Sequence, residues 1–118
     1  MTTVVVNVKH RPRPAYDHYV GRYFPGIGSS SWGNPFLAGK HGTNEEVTAL
    51  YRQWLAGRDD FPGYRDVWRL KPERRAWILA HVHTLRGKTL ACSCKPDACH
   101  GDVLAELADT RQAGANDR

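Results

Sequence analysis

Two short apolar runs stand almost the whole chain apart, and they constrain the fold more than any other feature. Val4-Val5-Val6-Asn7-Val8 is β-branched and continuous; Thr89-Leu90-Ala91-Cys92-Ser93-Cys94 is its counterpart near the other end. Each has the length of a buried strand. The first stops at Lys9-His10-Arg11-Pro12-Arg13-Pro14, where proline forbids both helix and central strand. The second ends at Pro96. Both are followed at some distance by helical patterns, which predicts a compact α/β sandwich with a mainly parallel, short sheet flanked by helices.

The intervening chain reads as follows. His18-Tyr19-Val20-Gly21-Arg22 is a second possible strand. Phe24 to Gly42 carries five glycines, two prolines and three serines; this is a long loop, and such loops tend to be functional or mobile. Thr43-Asn44-Glu45-Glu46 is a capping box, followed by Val47, Leu50, Tyr51, Trp54 and Leu55 at helical spacing, with Gly57 closing the helix. Pro72 suits a first helical turn, and Trp77, Ile78, His81, Val82 and Leu85 are expected along one face, with Gly87 as the cap. A last helix is expected from about Asp97, with Val103, Leu104 and Leu107 on its apolar side.

At 118 residues, 41% hydrophobic and 25% charged, the chain has the balance of one globular domain. We place that domain at residues 3–109, with 110–118 as a flexible polar tail. No apolar run has the length of a membrane span, and the N-terminus lacks the basic-then-apolar plan of a signal peptide, so a cytoplasmic location and no membrane partner are expected. The three cysteines fall within eight positions, unlike the dispersed even set of a secreted disulfide scaffold. The net charge of +5 is uneven: residues 1–42 and 65–95 are basic, whereas 97–109 carries four acids and no base. Such polarity suits an anionic partner, and equally an arginine-rich surface.

The junction Cys92-Ser93-Cys94-Lys95-Pro96-Asp97-Ala98-Cys99-His100 is the candidate functional centre. Cys92 and Cys94, two apart on a strand, leave the same face of the sheet. Cys99 and His100 fall in the first turn of the next helix, where free N–H groups and the helix dipole favour negative charge. One reading is an anion cradle completed by Lys95 and His100. Another is thiol chemistry, with Cys94 or Cys99 activated beside His100. Zinc would find four suitable ligand types here, but C-x-C-x4-C-H is not a knuckle spacing, so no metal is assigned. Cys92 alone reads as a small apolar core residue.

The run from Leu90 to Leu104, LACSCKPDACHGDVL, resembles the signature of the bacterial and phage family known as domain of unknown function 4326. Val6-Asn7, Val20-Gly21-Arg22, Gly33-Asn34-Pro35-Phe36, Tyr51 and Trp54-Leu55 fit the same pattern, over about residues 3–109. The ending is more distantly similar to another uncharacterised family, number 488. The resemblance implies a Rossmann-like α/β domain, often phage-encoded, acting in a bacterial cell or an infected host; it implies no particular activity.

Further candidates are Asn34, whose amide can read a ligand edge or make an ordinary turn, and Asn7, which either pins a loop or faces the ligand. Arg22 suits an anion or a surface salt bridge, and Asp102 completes the polar group at the junction. His81 and His83, two apart, make a poor metal pair, and His81 reads as partly buried. Trp54 and Trp77 read as packing. Trp32 and Trp68 either stack a base or cover a core edge.

Three functions compete. The first binds or processes a nucleotide or other phosphorylated anion, with Cys94, Cys99 and His100 reactive, Asn7, Arg22, Asn34, Lys95 and Asp102 binding, and loop 24–42 as a lid. The second is a nucleic-acid-binding module using the basic stretches 9–13 and 65–75. The third is a phage-type protein-interaction module. No Walker loop, G-x-G-x-x-G, G-x-S-x-G or H-E-x-x-H occurs, so no cofactor is implied, and the residues leave enzymatic activity and oligomeric state open.

Overall fold

The computed structural model describes residues 2–22, 24–64, 70–95 and 97–110. Trp68, Pro96 and the tail 111–118 lie outside them. The elements run β1 (Val4–Asn7), β2 (His18–Tyr19), α1 (Asn44–Leu55), α2 (Pro72–His81), a 3-10 turn (Val82–Leu85), β3 (Thr89–Cys92) and α3 (His100–Thr110). The three strands form one sheet in the order β1-β3-β2, with both pairings parallel. Val4 to Asn7 pair in register with Thr89 to Cys92, and His18-Tyr19 with Leu90-Ala91. The expected mixed α/β architecture with a short parallel sheet is therefore present.

Burial follows strand position. In the central strand Leu90, Ala91 and Cys92 are wholly buried, whereas Val4 on the edge strand is 45% exposed. β1 is thus less enclosed than its unbroken valines suggest, because an edge strand has a neighbour on one side only. β2 is shorter than expected: two residues ladder, Val20 still donates to the Ala91 carbonyl at 2.9 Å, and Gly21-Arg22 turn away, with the Tyr19 hydroxyl donating to the Arg22 carbonyl. A Cβ on Gly21 would lie 2.5 Å from the Tyr19 hydroxyl oxygen, so a side chain there would push the Tyr19 ring aside.

α1 begins as its sequence dictates. The Thr43 hydroxyl accepts the Glu46 N–H at 3.1 Å and the Glu46 carboxylate accepts the Thr43 N–H at 2.8 Å, while Gly57 (φ 112°) follows the helix end in a conformation closed to most side chains. α2 departs from expectation. Ile78, Val82 and Leu85 form the buried stripe, and the chain tightens into a 3-10 turn after His81. Trp77 and His81, one position off that stripe, face outward: Trp77 is 39% exposed and His81 is exposed, their rings stacked 4.5 Å apart. Trp77 is therefore not a core residue, nor is His81 partly buried. Trp32 is buried and packs 4.8 Å from Trp77, which makes it a cover for the core edge.

α3 starts at His100, three residues later than expected, and packs on β1, β3, α1 and the 3-10 turn. Segment 24–42 has no helix or strand, only single bridges at Phe24–Gly28 and Ala38–Gly42. Its centre is not a lid. Residues 32–36 are all buried: Asn34 Nδ2 donates to the Val47 carbonyl at 3.0 Å, Tyr51 donates to the Trp32 carbonyl at 2.7 Å, and Phe36 packs among Phe61 and Tyr64. That stretch is a fixed wall against α1.

Candidate functional site

Parallel strands send all their carboxyl ends to one edge, and the loops leaving that edge frame a cleft of about 260 Å³. Gly21 and Arg22 line it from the turn after β2, and Ser93 and Cys94 from the turn after β3. Asn34, Phe36 and Ala38 enter from the glycine-rich segment, Asn44, Val47 and Thr48 from α1, and Ala98 and His100 from the start of α3.

His100 is buried, and its Nε2 lies 2.6 Å from the Val20 carbonyl, which only accepts, so Nε2 carries the proton. Burial pulls the imidazole pKa below its ordinary value, against the pull of the Val20 carbonyl, and holds the ring neutral. Nδ1 is left as an acceptor, 4.0 Å from Cys99 Sγ, and the Tyr51 ring packs edge-on at 5.4 Å.

The three cysteines are free, and they lie near enough for their titrations to influence one another. Cys94 lies beyond the end of β3, on the turn that follows it. Donation from the Cys94 and Cys99 thiols, aided by the backbone N–H groups of Cys94 and Lys95, pulls Cys92 well below the ordinary thiol range. The same sharing pushes Cys94 and Cys99 up. Cys99 sits just before α3 and its sulfur accepts the Gly101 N–H at 3.3 Å, acting as a cap. Cys92 and Cys99 are buried; Cys94 is half-buried and is the cysteine that lines the cleft. Among the described residues, no group of three or more His, Cys, Asp or Glu side chains is placed to hold a metal ion.

The other candidate residues divide. Arg22 and Asn34 line the cleft. The Arg22 guanidinium makes no ion pair or side-chain hydrogen bond among the described residues. Asn34 is committed to the wall, since its Oδ1 also accepts the Phe36 N–H at 2.9 Å. Asn7 lies outside the cleft; its Nδ2 donates to the Lys95 carbonyl and its Oδ1 accepts the Lys9 N–H at 2.8 Å, pinning the turn after β3 to β1. Lys95 and Asp102 pair with each other at 3.0 Å, also outside the cleft lining, and the Asp102 carboxylate raises the Lys95 pKa. Ser93, Asn44 and Thr48 line the cleft without having been singled out. Asn44 and Thr48 carried a readable signal: with Val47 and Tyr51 they form one i, i+3, i+4, i+7 stripe of α1.

Among the described residues no helix is long and apolar enough to cross a membrane. No solved structure matches the chain. A 30-residue stretch is 50% identical to an uncharacterized 12.4 kDa protein from the nrdA-td intergenic region of Enterobacteria phage T4, covering 25% of this chain and 28% of that protein. Over residues 6–110, nearly all of the described structure, the chain matches the family described as Domain of unknown function (DUF4326), and it belongs to that family.

Proposed function

We propose that this protein binds a small anionic ligand, a nucleotide or another phosphorylated molecule, in the cleft at the carboxyl ends of its strands, as a reduced Rossmann-like fold would. The observation that carries this reading is Arg22: a cation without a counter-ion among the described residues, in a polar cleft that also holds the first residue of α3. A guanidinium offers paired donors to a phosphate or carboxylate, and the N-terminal turn of a helix adds a favourable dipole. Ser93, Asn44 and Thr48 supply neutral polar groups around it. The volume suits a ligand no larger than a mononucleotide.

Titration calorimetry with inorganic phosphate, pyrophosphate, ribose 5-phosphate and the nucleoside monophosphates tests the reading. Saturable binding of at least one probe is expected, weakened about tenfold or more by Arg22→Ala, the size of one charge-assisted hydrogen bond. Binding by none of them, or equal binding by the variant, removes it.

A second reading has its own observation: Lys9, His10, Arg11 and Arg13 are all exposed on the segment after β1. It expects a single-stranded oligonucleotide to bind with steep salt dependence, unaffected by Arg22→Ala and lost when residues 9, 11 and 13 lose their charge.

A further inference from the structure

The cleft does not end at Asn44. A second cavity of about 490 Å³ opens beside it, lined by Thr43, Asn44, Glu45, Asp97 and Ala98. Asn44 and Ala98 border both spaces, whereas Arg22 lines only the first, and Asp97 and Glu45 line only the second. The two cavities therefore adjoin, with a cation on one side of Asn44 and carboxylates on the other.

Helix capping accounts for some of this acidity but not for all of it. Acids in a first helical turn complement the dipole, and Glu46 is spent on the cap of α1. Asp97 belongs to neither helix. It lies on the turn between β3 and α3, where its N–H donates to the Cys94 carbonyl at 2.9 Å, and its side chain is exposed. Asn44 Nδ2 donates to Asp97 Oδ2 at 3.2 Å, tying the carboxylate to the boundary between the cavities. Asp97 Oδ1 and Asn44 Oδ1 accept no hydrogen bond among the described residues. The second cavity thus offers acceptors, and suits a ligand group that donates.

Resting on the anion-binding reading, we propose that the combined site selects a sugar monophosphate with free vicinal hydroxyls, such as a ribonucleoside 5′-monophosphate, and that Asp97 sets this preference. The phosphate takes the Arg22 side, and the two hydroxyls donate to the Asp97 carboxylate. A carboxylate has about four lone-pair sites, so accepting from Asn44 leaves room for both. Hydrogen bonds to an ionised acceptor are the stronger kind, and a sugar lacking one hydroxyl forfeits one of them. Inorganic phosphate gains nothing from Asp97. A second phosphoryl group would bring like charge toward Asp97 and Glu45, so polyphosphates are disfavoured.

Titration calorimetry with adenosine 5′-monophosphate, its 2′-deoxy counterpart, inorganic phosphate and pyrophosphate tests this. The parent chain should prefer the ribonucleotide over the deoxyribonucleotide by about fivefold or more. It should also bind pyrophosphate no more tightly than phosphate. Asp97→Ala, which removes the acceptors, should bring the two nucleotides to equal affinity. Asp97→Asn keeps an acceptor for Asn44 and removes only the charge; it should raise the affinity for pyrophosphate relative to phosphate. Equal binding of the two nucleotides by the parent, or a ribose preference that survives Asp97→Ala, would overturn the proposal. Phosphate binding that depends on Arg22 but comes without the ribose preference leaves the anion-binding reading standing and removes this one. Binding of no probe removes both.

Discussion

The two ends of the three-stranded sheet handle polar groups in opposite ways. At the amino end the polar groups of several segments close on one another. The Thr3 hydroxyl is buried, accepts the Gly87 N–H at 2.9 Å and donates to Asp109 at 2.6 Å, while the Thr3 N–H donates to the same carboxylate at 3.2 Å. Arg86 Nε donates to the Ala108 carbonyl at 2.7 Å. Those bonds tie the start of β1, the turn before β3 and the last turn of α3 into one knot. At the carboxyl end Asn7 does similar work for the turn after β3, but Arg22 has no counter-ion among the described residues and Cys94 opens on the cleft. Among the described residues no buried side-chain nitrogen or oxygen lacks a partner. A fold that satisfies its buried groups elsewhere, yet leaves a cation open in one cleft, is the arrangement that the proposed anion binding requires.

The largest effect should come from untying the closed end. Thr3→Val keeps shape but strands the Gly87 N–H and removes one hydrogen bond from Asp109, which should cost about 1–3 kcal/mol in urea unfolding. A loss below about 0.5 kcal/mol would mean that the knot is ornamental and that the two ends differ only in appearance.

Both ends should respond to acid, but in different windows. The Thr3 hydroxyl, then the Thr3 N–H, holds the Asp109 carboxyl below its usual range, so that contribution is present above the ordinary aspartate pKa and lost as pH falls through the depressed one. His100 is also depressed, by burial, so its contribution is present above about pH 6.5 and lost as pH falls from there through the folded value. Stability should therefore decline with a slope of at most about 1.4 kcal/mol per pH unit below pH 6.5, before any carboxylate titrates. His100→Gln, which keeps a donor for the Val20 carbonyl, should flatten that first decline and leave the acidic one; an unchanged profile would mean that the imidazole is solvated in the folded state.

Legibility in the sequence followed how local each signal was. Thr43 and Glu46 make α1's cap within one turn, and Gly57 ends it; both were readable because neighbours in sequence decide them. That the sheet is short and parallel was readable from strand length and the intervening helices; which strands pair was not. What was not readable depends on rotation and on distant partners. Trp77 and His81 missed the core by one helical position, a phase error invisible in a mixed stripe that ends in a 3-10 turn. Lys95 and Asp102, both assigned to a ligand, found each other; Asn7 took the loop-pinning alternative, and Asn34 lines the cleft while its amide bonds backbone groups of α1 and of its own segment. The group of cysteines was visible as spacing, but which of them lines the cleft was not, because Cys94 lies on the turn rather than on the strand.

The smallest expected effect sharpens the comparison most. If Arg22 is held in reserve for a ligand, Arg22→Ala should leave the stability of the ligand-free chain within about 0.5 kcal/mol of the parent, as an exposed side chain with no partner to strand should. The competing role is packing, because Arg22 lays its stem against Gly33, where a Cβ would lie 3.1 Å from the arginine Cγ. A destabilisation above about 1 kcal/mol in urea would assign Arg22 to the wall and leave the carboxyl end as closed as the amino end. An unchanged midpoint, together with lost anion binding, would separate the residue that serves the ligand from those that serve the fold.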